Sequence, residues 1–184
     1  MTDADALAPG HVVAFWTAAG PDKWFEKDER FDAEIRDRFG PAVAAARRGD
    51  LDRWAETAEG ALALLLLLDQ FPRNIFRGTP EVYASDAKAR VVAADAVARG
   101  LDAAYEPPLR RFFYLPFMHS EDLADQERCV ALHRACGDAD GLQWAEHHRD
   151  IIRRFGRFPH RNAVLGRATT AEEQAFLDKD GFTG

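Results

Sequence analysis

The run Ala61-Leu62-Ala63-Leu64-Leu65-Leu66-Leu67-Leu68, followed directly by Asp69-Gln70-Phe71-Pro72-Arg73-Asn74, decides how this chain folds. Leu62 and Leu64 to Leu68 leave a helix no polar face, and a helix that is apolar all round is surrounded by others. The run has eight residues, whereas a membrane span needs roughly 20. It therefore reads as the second half of a buried central helix over 51–70, whose first half (Leu51, Trp54, Ala58) is amphipathic. Pro72 stops that helix, because proline lacks the N–H a helix needs and pushes the residue before it out of the helical region.

Outward from this run, apolar residues recur at helical spacing and no stretch alternates as a strand would. The pattern predicts a helix over 9–18 with Val12, Val13, Phe15 and Trp16, and another over 29–48 with Phe31, Ile35, Phe39 and Val43, closed by Gly49. Gly40-Pro41 lies inside the second and is a place for a kink or a break. Thr79-Pro80-Glu81 opens an alanine-rich helix over 80–99, with a threonine cap, a proline at the first position and an acid near the positive end. Glu106-Pro107-Pro108 begins a short helix that stops at Pro116. Ser120-Glu121-Asp122 caps the next, which Gly137 ends, and a helix over 139–155 is closed by Gly156. A capping box, Thr170 with Glu173, opens the last, over 171–179. The expected architecture is all-α: a single domain over 1–184, with eight or nine helices packed as antiparallel pairs.

Composition sets the outer limits. At 184 residues the chain suits one domain, and its 47% apolar content argues against disorder. The net charge of -7 argues against a nucleic-acid or anionic-membrane binder. Of the 24 basic residues 20 are arginine, the side chain suited to two-pronged contact with carboxylates and phosphates. Cys129 and Cys136, seven apart, would be separated by about 10 Å on one helix, too far for a disulfide. They read as reduced thiols of a cytoplasmic protein, and Met1 to Pro9 carries no basic segment of a signal peptide.

The candidate functional residues gather at helix ends. Phe71-Pro72-Arg73-Asn74 is nearly repeated as Phe158-Pro159-His160-Arg161-Asn162, and Arg77 trails the first as Arg167 trails the second. Arg73, Asn74, Arg77, Arg157, Arg161, Asn162 and Arg167 are candidate ligand-binding residues, because arginines beyond a helix end are poorly explained by dipole capping. Asp69 extends the apolar face of the central helix at its negative end, so it requires a cationic or hydrogen-bonding partner, with Arg73, Arg77 and Arg161 as candidates. His148 sits on the stripe Trp144, His148, Ile151, Ile152 and Phe155, and either fills the core or moves protons. His160 is the second candidate base, His119 a further ligand-binding candidate, and Asp69 or Glu121 the acid partner. No residue spacing suits a metal, a phosphate-cradling glycine loop or a nucleophile elbow, so no metal and no cofactor are expected.

The segments Val13-x-Phe15-Trp16, Trp24-Phe25, Leu68 to Asn74, Tyr114 to Asp122, and His148 to Asn162, continued through Leu165-Gly166-Arg167 to the last capping box, stand out together. In combination they resemble the bacterial domain-of-unknown-function family 924. The resemblance implies a fold similar to tetratricopeptide-like α–α superhelices and implies no activity. Two functional readings follow. In the first, the two Phe-Pro turns and the His119 turn line one polar pocket that binds an anionic small molecule, with acid/base chemistry from His148 or His160. In the second, a helical superhelix clamps an acidic peptide as an interaction module. RNA binding through the arginine-rich stretch is the weakest reading, given the acidic total.

Overall fold

A computed structural model describes residues 7–180. These residues are mostly helical and contain no strand. They form ten α-helical segments joined by 3-10 turns and short loops, and three of the ten are only four or five residues long. None of the described helices is long and apolar enough to cross a membrane. The chain divides into two units, one of residues up to 77 together with 81–116, the other of residues 78–80 and from 117 onward.

The first unit contains α1 (Pro9–Ala19), α2 (Pro21–Trp24), α3 (Glu29–Arg48), α4 (Ala58–Leu65), α5 (Phe71–Ile75) and α6 (Asp86–Ala98). Its centre is the leucine run, whose residues 61 to 68 are all at most 1% exposed. α1, α6 and the 3-10 turn Asp52–Glu56 pack around α4, and α3 packs on α5. Trp16, Phe31, Phe39, Phe71 and Phe112 add an aromatic layer beside it. Trp54 lies in that 3-10 turn rather than in the central helix, because Thr57 caps α4: its Oγ accepts from the Gly60 N–H at 3.1 Å.

Two prolines behave unlike their expectations. α3 runs through Pro41 without breaking; Gly40 before it has no Cβ to meet the proline ring. Pro72 does not stop the central helix, which passes through a π-helical segment, Leu66–Gln70, directly into α5. The wider turn carries the Phe71 N–H to the carbonyl of Leu66. The Leu68 carbonyl, which a non-proline residue 72 would have bonded, accepts instead from the Ser85 hydroxyl at 2.7 Å. Arg73 Nη1 donates to the next carbonyl, that of Asp69, at 2.6 Å.

The second unit is built on α8 (Leu123–Cys136) and α9 (Ala139–Phe155), which pack as a pair. Only Gly137, left-handed at φ 75°, and Asp138 join them, so the chain must reverse. The short α7 (Leu115–Met118) leads toward α8, and α10 (Ala171–Asp180) follows. α10 opens with the expected capping box: the Thr170 hydroxyl accepts from the Glu173 N–H, and the Glu173 carboxylate accepts from the Thr170 N–H. Phe176 of α10 packs with Ile151, Ile152 and Phe158. Cys129 and Cys136 both lie on α8 and form no disulfide; burial pushes the Cys129 thiol up.

Candidate functional site

In the second unit the stripe on α9 delivers His148 to the interior beside Phe158. Gly156, left-handed at φ 69°, ends α9, and Pro159 then opens a 3-10 turn with a φ already suited to it. That turn places His160 and Arg161 on the ring of the fully buried Phe158. The His160 ring lies 5.6 Å from it, the His148 ring 5.7 Å, and the Arg161 guanidinium 4.6 Å above its face. Arg161, 7% exposed, also donates from Nη2 to the His119 carbonyl at 2.9 Å. His147 meets His148 edge-on at 6.2 Å. Four of the six histidines of the chain and one arginine therefore share one small region.

His148 Nδ1 lies 2.8 Å from the Trp144 carbonyl, which can only accept. Nδ1 therefore carries the ring proton and Nε2 is the acceptor nitrogen. Burial pushes the pKa of His148 down to about 3; the bond to Trp144 opposes this, and the charges of His119, His147 and Arg161 add to the lowering. The unfolded chain takes up a proton near pH 6.5 that the folded one refuses, so stability is full above pH 6.5 and is lost as pH falls toward 3. The expected slope from this group is roughly 1.4 kcal/mol per pH unit. Urea midpoints of the native protein and His148→Leu, compared between pH 7 and 5, should diverge in slope by that amount. Parallel profiles would show that His148 is not held neutral.

Four other candidate residues form one connected frame. Arg167 grips Glu121 with two prongs, at 2.8 and 2.9 Å, and Glu121 also accepts from the Phe158 N–H at 2.7 Å. Burial alone would raise the Glu121 carboxyl, but Arg167 and the Phe158 N–H hold it below its ordinary value. Arg167 Nε donates to Asn162, Asn162 donates to Glu173 at 3.3 Å, and Glu173 takes Arg157 at 2.6 and 2.9 Å. The frame ties the His119 turn, the second Phe-Pro turn and α10 together.

In the first unit the first Phe-Pro turn repeats this logic. Asn74 donates to Asp32 at 2.8 Å, and Arg77 grips the same carboxylate through Nε and Nη2 at 2.6 and 3.1 Å. An asparagine, an acid and an arginine thus make the same triad here as Asn162, Glu173 and Arg157 make in the second unit. Arg73 is the partner that Asp69 requires, at 3.2 Å, and it also pairs with Asp86. Burial would lower the Arg73 pKa, but Asp69 and Asp86 outweigh it and raise it. Gln70 donates to the far oxygen of Asp69. An open cavity of about 330 Å³ lies beside Asn74 and Arg77, with Lys27, Glu29, Asp32, Arg36 and Ile75 completing its lining.

Sequence reading missed Asp32 and Asp86, the acids that hold the first turn. Asp32 was legible in part, since it stands in helical register with Ile35 and Phe39 on the buried side of α3. Among the described residues no group of three or more His, Cys, Asp or Glu side chains could hold a metal ion.

A solved structure of a protein of unknown function from Agrobacterium tumefaciens is 53% identical to this chain, covers 97% of it and 99% of its own length, and superposes with a TM-score of 0.91. No curated protein matches the sequence. The profile of the family described as bacterial protein of unknown function (DUF924) matches residues 12–181. That match covers nearly the whole chain, which therefore belongs to this bacterial family.

Proposed function

We propose that the protein binds a small molecule bearing a carboxylate or phosphate on the imidazole and guanidinium face around Phe158. One observation carries this reading: Arg161 is 7% exposed, its guanidinium lies 4.6 Å over the Phe158 ring, and four histidines share its region, in a chain whose net charge is -7. A guanidinium offers a planar fork of N–H groups, the geometry that meets a planar carboxylate or a phosphate. Partial burial lowers the local dielectric, so an anion gains more there than on an exposed face. His119, His147 and Arg161 all oppose protonation of His148, which marks a positive local field that an anion would cancel.

Acid/base chemistry would follow from binding. With its proton fixed on Nδ1, His148 offers Nε2 as the base, and its pKa, depressed first by burial, rises once an anion offsets the neighbouring charges that add to the lowering. His160, whose ring lies 5.6 Å from that of Phe158, is the candidate acid. Glu121 acts as a positioning residue, held by Arg167. Cys129 and Cys136, unlinked, suit the reducing cytoplasm as the location.

Phosphate and a set of mono- and dicarboxylates, screened at low ionic strength, should raise the melting temperature of the native protein. Arg161→Lys keeps the charge but loses the fork, and should weaken binding roughly 10- to 100-fold, the value of a charge-assisted pair. Ligand should also raise the pKa of His148 read by NMR. Unchanged binding in Arg161→Lys, or a His148 titration that the ligand does not move, would overturn the reading.

A further inference from the structure

We infer that the first unit carries a separate site for a small dicarboxylate that bears an amino or hydroxyl group, seated in the open cavity between the start of α3 and the Asn74–Arg77 turn. The cavity, about 330 Å³, is at the small end of the range for ligand pockets. Its floor is buried and built: Asp32 and Asn74 are 5% and 4% exposed. Asp32 is fully employed, taking both Arg77 and Asn74.

What remains around the cavity is a complementary set of unused groups. Lys27 makes no ion pair or hydrogen bond among the described residues, and Arg36 makes one bond, from Nη2 to the Ile75 carbonyl at 3.3 Å. Two cations without counter-ions match two carboxylates. Arg77 engages Asp32 through Nε and Nη2, which leaves Nη1 to add a third donor. The amide of Asn74 is oriented by Asp32, because a carboxylate accepts only from its NH2 group. Its Oδ1 therefore remains an acceptor with no partner among the described residues, on a side chain that is almost wholly buried. Glu29, also on the lining, has no cationic partner. An acceptor and an unpaired acid beside two unpaired cations call for a ligand that donates as well as accepts: a carboxylate skeleton with an amine or a hydroxyl. An amine suits Glu29 and Asn74 together; a hydroxyl suits Asn74 alone.

The inference stands apart from the reading of the Phe158 cluster, and none of the residues varied in its test belongs to that cluster. Calorimetric titration of the full chain and of Lys27→Ala/Arg36→Ala with L-aspartate, L-malate, succinate and inorganic phosphate tests it, since the first three share one skeleton and differ in the donor; the binding of each that the double variant loses is the binding at this cavity, and any that persists belongs to the Phe158 cluster. Aspartate and malate should bind, with succinate at least 10-fold weaker and phosphate weaker still. Lys27 and Arg36 are exposed, so Lys27→Ala/Arg36→Ala should fold normally and bind at least 10-fold more weakly. Glu29→Gln should weaken aspartate but leave malate unchanged. Equal binding of succinate and malate, tighter binding of phosphate, no binding of any of the four at millimolar concentration, or unchanged binding in the double variant would each overturn the inference.

Discussion

Replacing Gly60 by alanine should destabilise the protein by about 3 kcal/mol, the upper part of the range for forcing atoms into a packed site. Helix propensity alone gives the opposite sign, because alanine is favoured over glycine in a helix by about 1 kcal/mol. Gly60 lies in the first turn of α4, where its N–H serves the Thr57 cap. A Cβ at this position would stand 1.9 Å from the Trp54 carbonyl oxygen. That atom belongs to backbone and also accepts from the Thr57 N–H at 3.3 Å, so it cannot swing aside as a side chain could. Either the 3-10 turn Asp52–Glu56 lifts off α4 or the first turn of α4 unwinds, and α4 is the helix on which the first unit is packed. For a chain of this size the loss corresponds to a fall in melting temperature of roughly 6–12 °C. Thermal and urea unfolding of Gly60→Ala would measure it. A neutral or stabilising result would show that the turn is not pressed onto the helix.

Gly60 also shows where sequence reading runs out. Local chemistry was readable: Gly49, Gly137 and Gly156 end their helices in the left-handed conformation, and Thr170 with Glu173 makes its capping box. Each of these signals involves residues within a few positions of one another. The leucine run was readable for a different reason, since only burial on every side accommodates a helix with no polar face. Thr57 carried a cap signal too, but the amphipathic pattern of Leu51, Trp54 and Ala58 masked it, and the turn it closes is 3-10. Pro72 failed as a stop signal because the rule assumes that the carbonyl left behind goes unsatisfied, whereas the hydroxyl of Ser85, 17 positions from Leu68, satisfies it.

The candidate sites divide in the same way. Arginines, histidines and asparagines clustered at helix ends were visible as anomalies against the dipole rule. Asp32 was not, because it is 45 positions from Arg77; Glu121 stood out as an acid, but its pairing with Arg167, 46 positions away, did not. Spacing along the chain carries no information about such pairs. The repeated Phe-Pro-Arg-Asn element has a physical meaning that becomes clear only with those acids in place. In both units an asparagine amide and an arginine share one buried carboxylate, so the asparagine fixes the turn and the arginine supplies the counter-charge. The surrounding backbone differs, helical through Pro72 and 3-10 after Pro159. The short motif therefore specifies a polar triad and not a secondary structure.

The triad of the second unit carries the other large prediction: Glu173→Ala should cost about 3–4 kcal/mol. The carboxylate is 3% exposed and accepts from Arg157 twice, from Asn162 and from the Thr170 N–H. Hydrogen bonds to a charged group contribute about 1.5–3 kcal/mol each in favourable cases, and removing one member of a buried pair costs about 3–5 kcal/mol because the other charge is stranded. Here the stranded groups would be Arg157 and Asn162, and through Asn162 the loss reaches Arg167 and Glu121. α10 would also lose the carboxylate half of its N-terminal box while keeping the packing of Phe176 and Leu177 on α9 and Phe158 and the exposed Arg154–Glu172 pair. Glu173→Gln separates the two contributions: glutamine can still serve the Thr170 N–H, so it should recover the cap but not the pairing with Arg157, and cost about half as much. The hydrogen bonds from Arg157, against the opposing effect of burial and with the help of Thr170, lower the Glu173 carboxyl to about 2. Because the folded value lies below the ordinary one, this stabilisation is complete above about pH 4.5 and is lost as pH falls through 2. Urea unfolding at pH 7, together with amide exchange across 171–180, measures both the cost and its location. If the alanine variant lost less than about 1 kcal/mol, or if exchange in α10 did not accelerate, Glu173 would not be the tie that holds this helix to the second Phe-Pro turn.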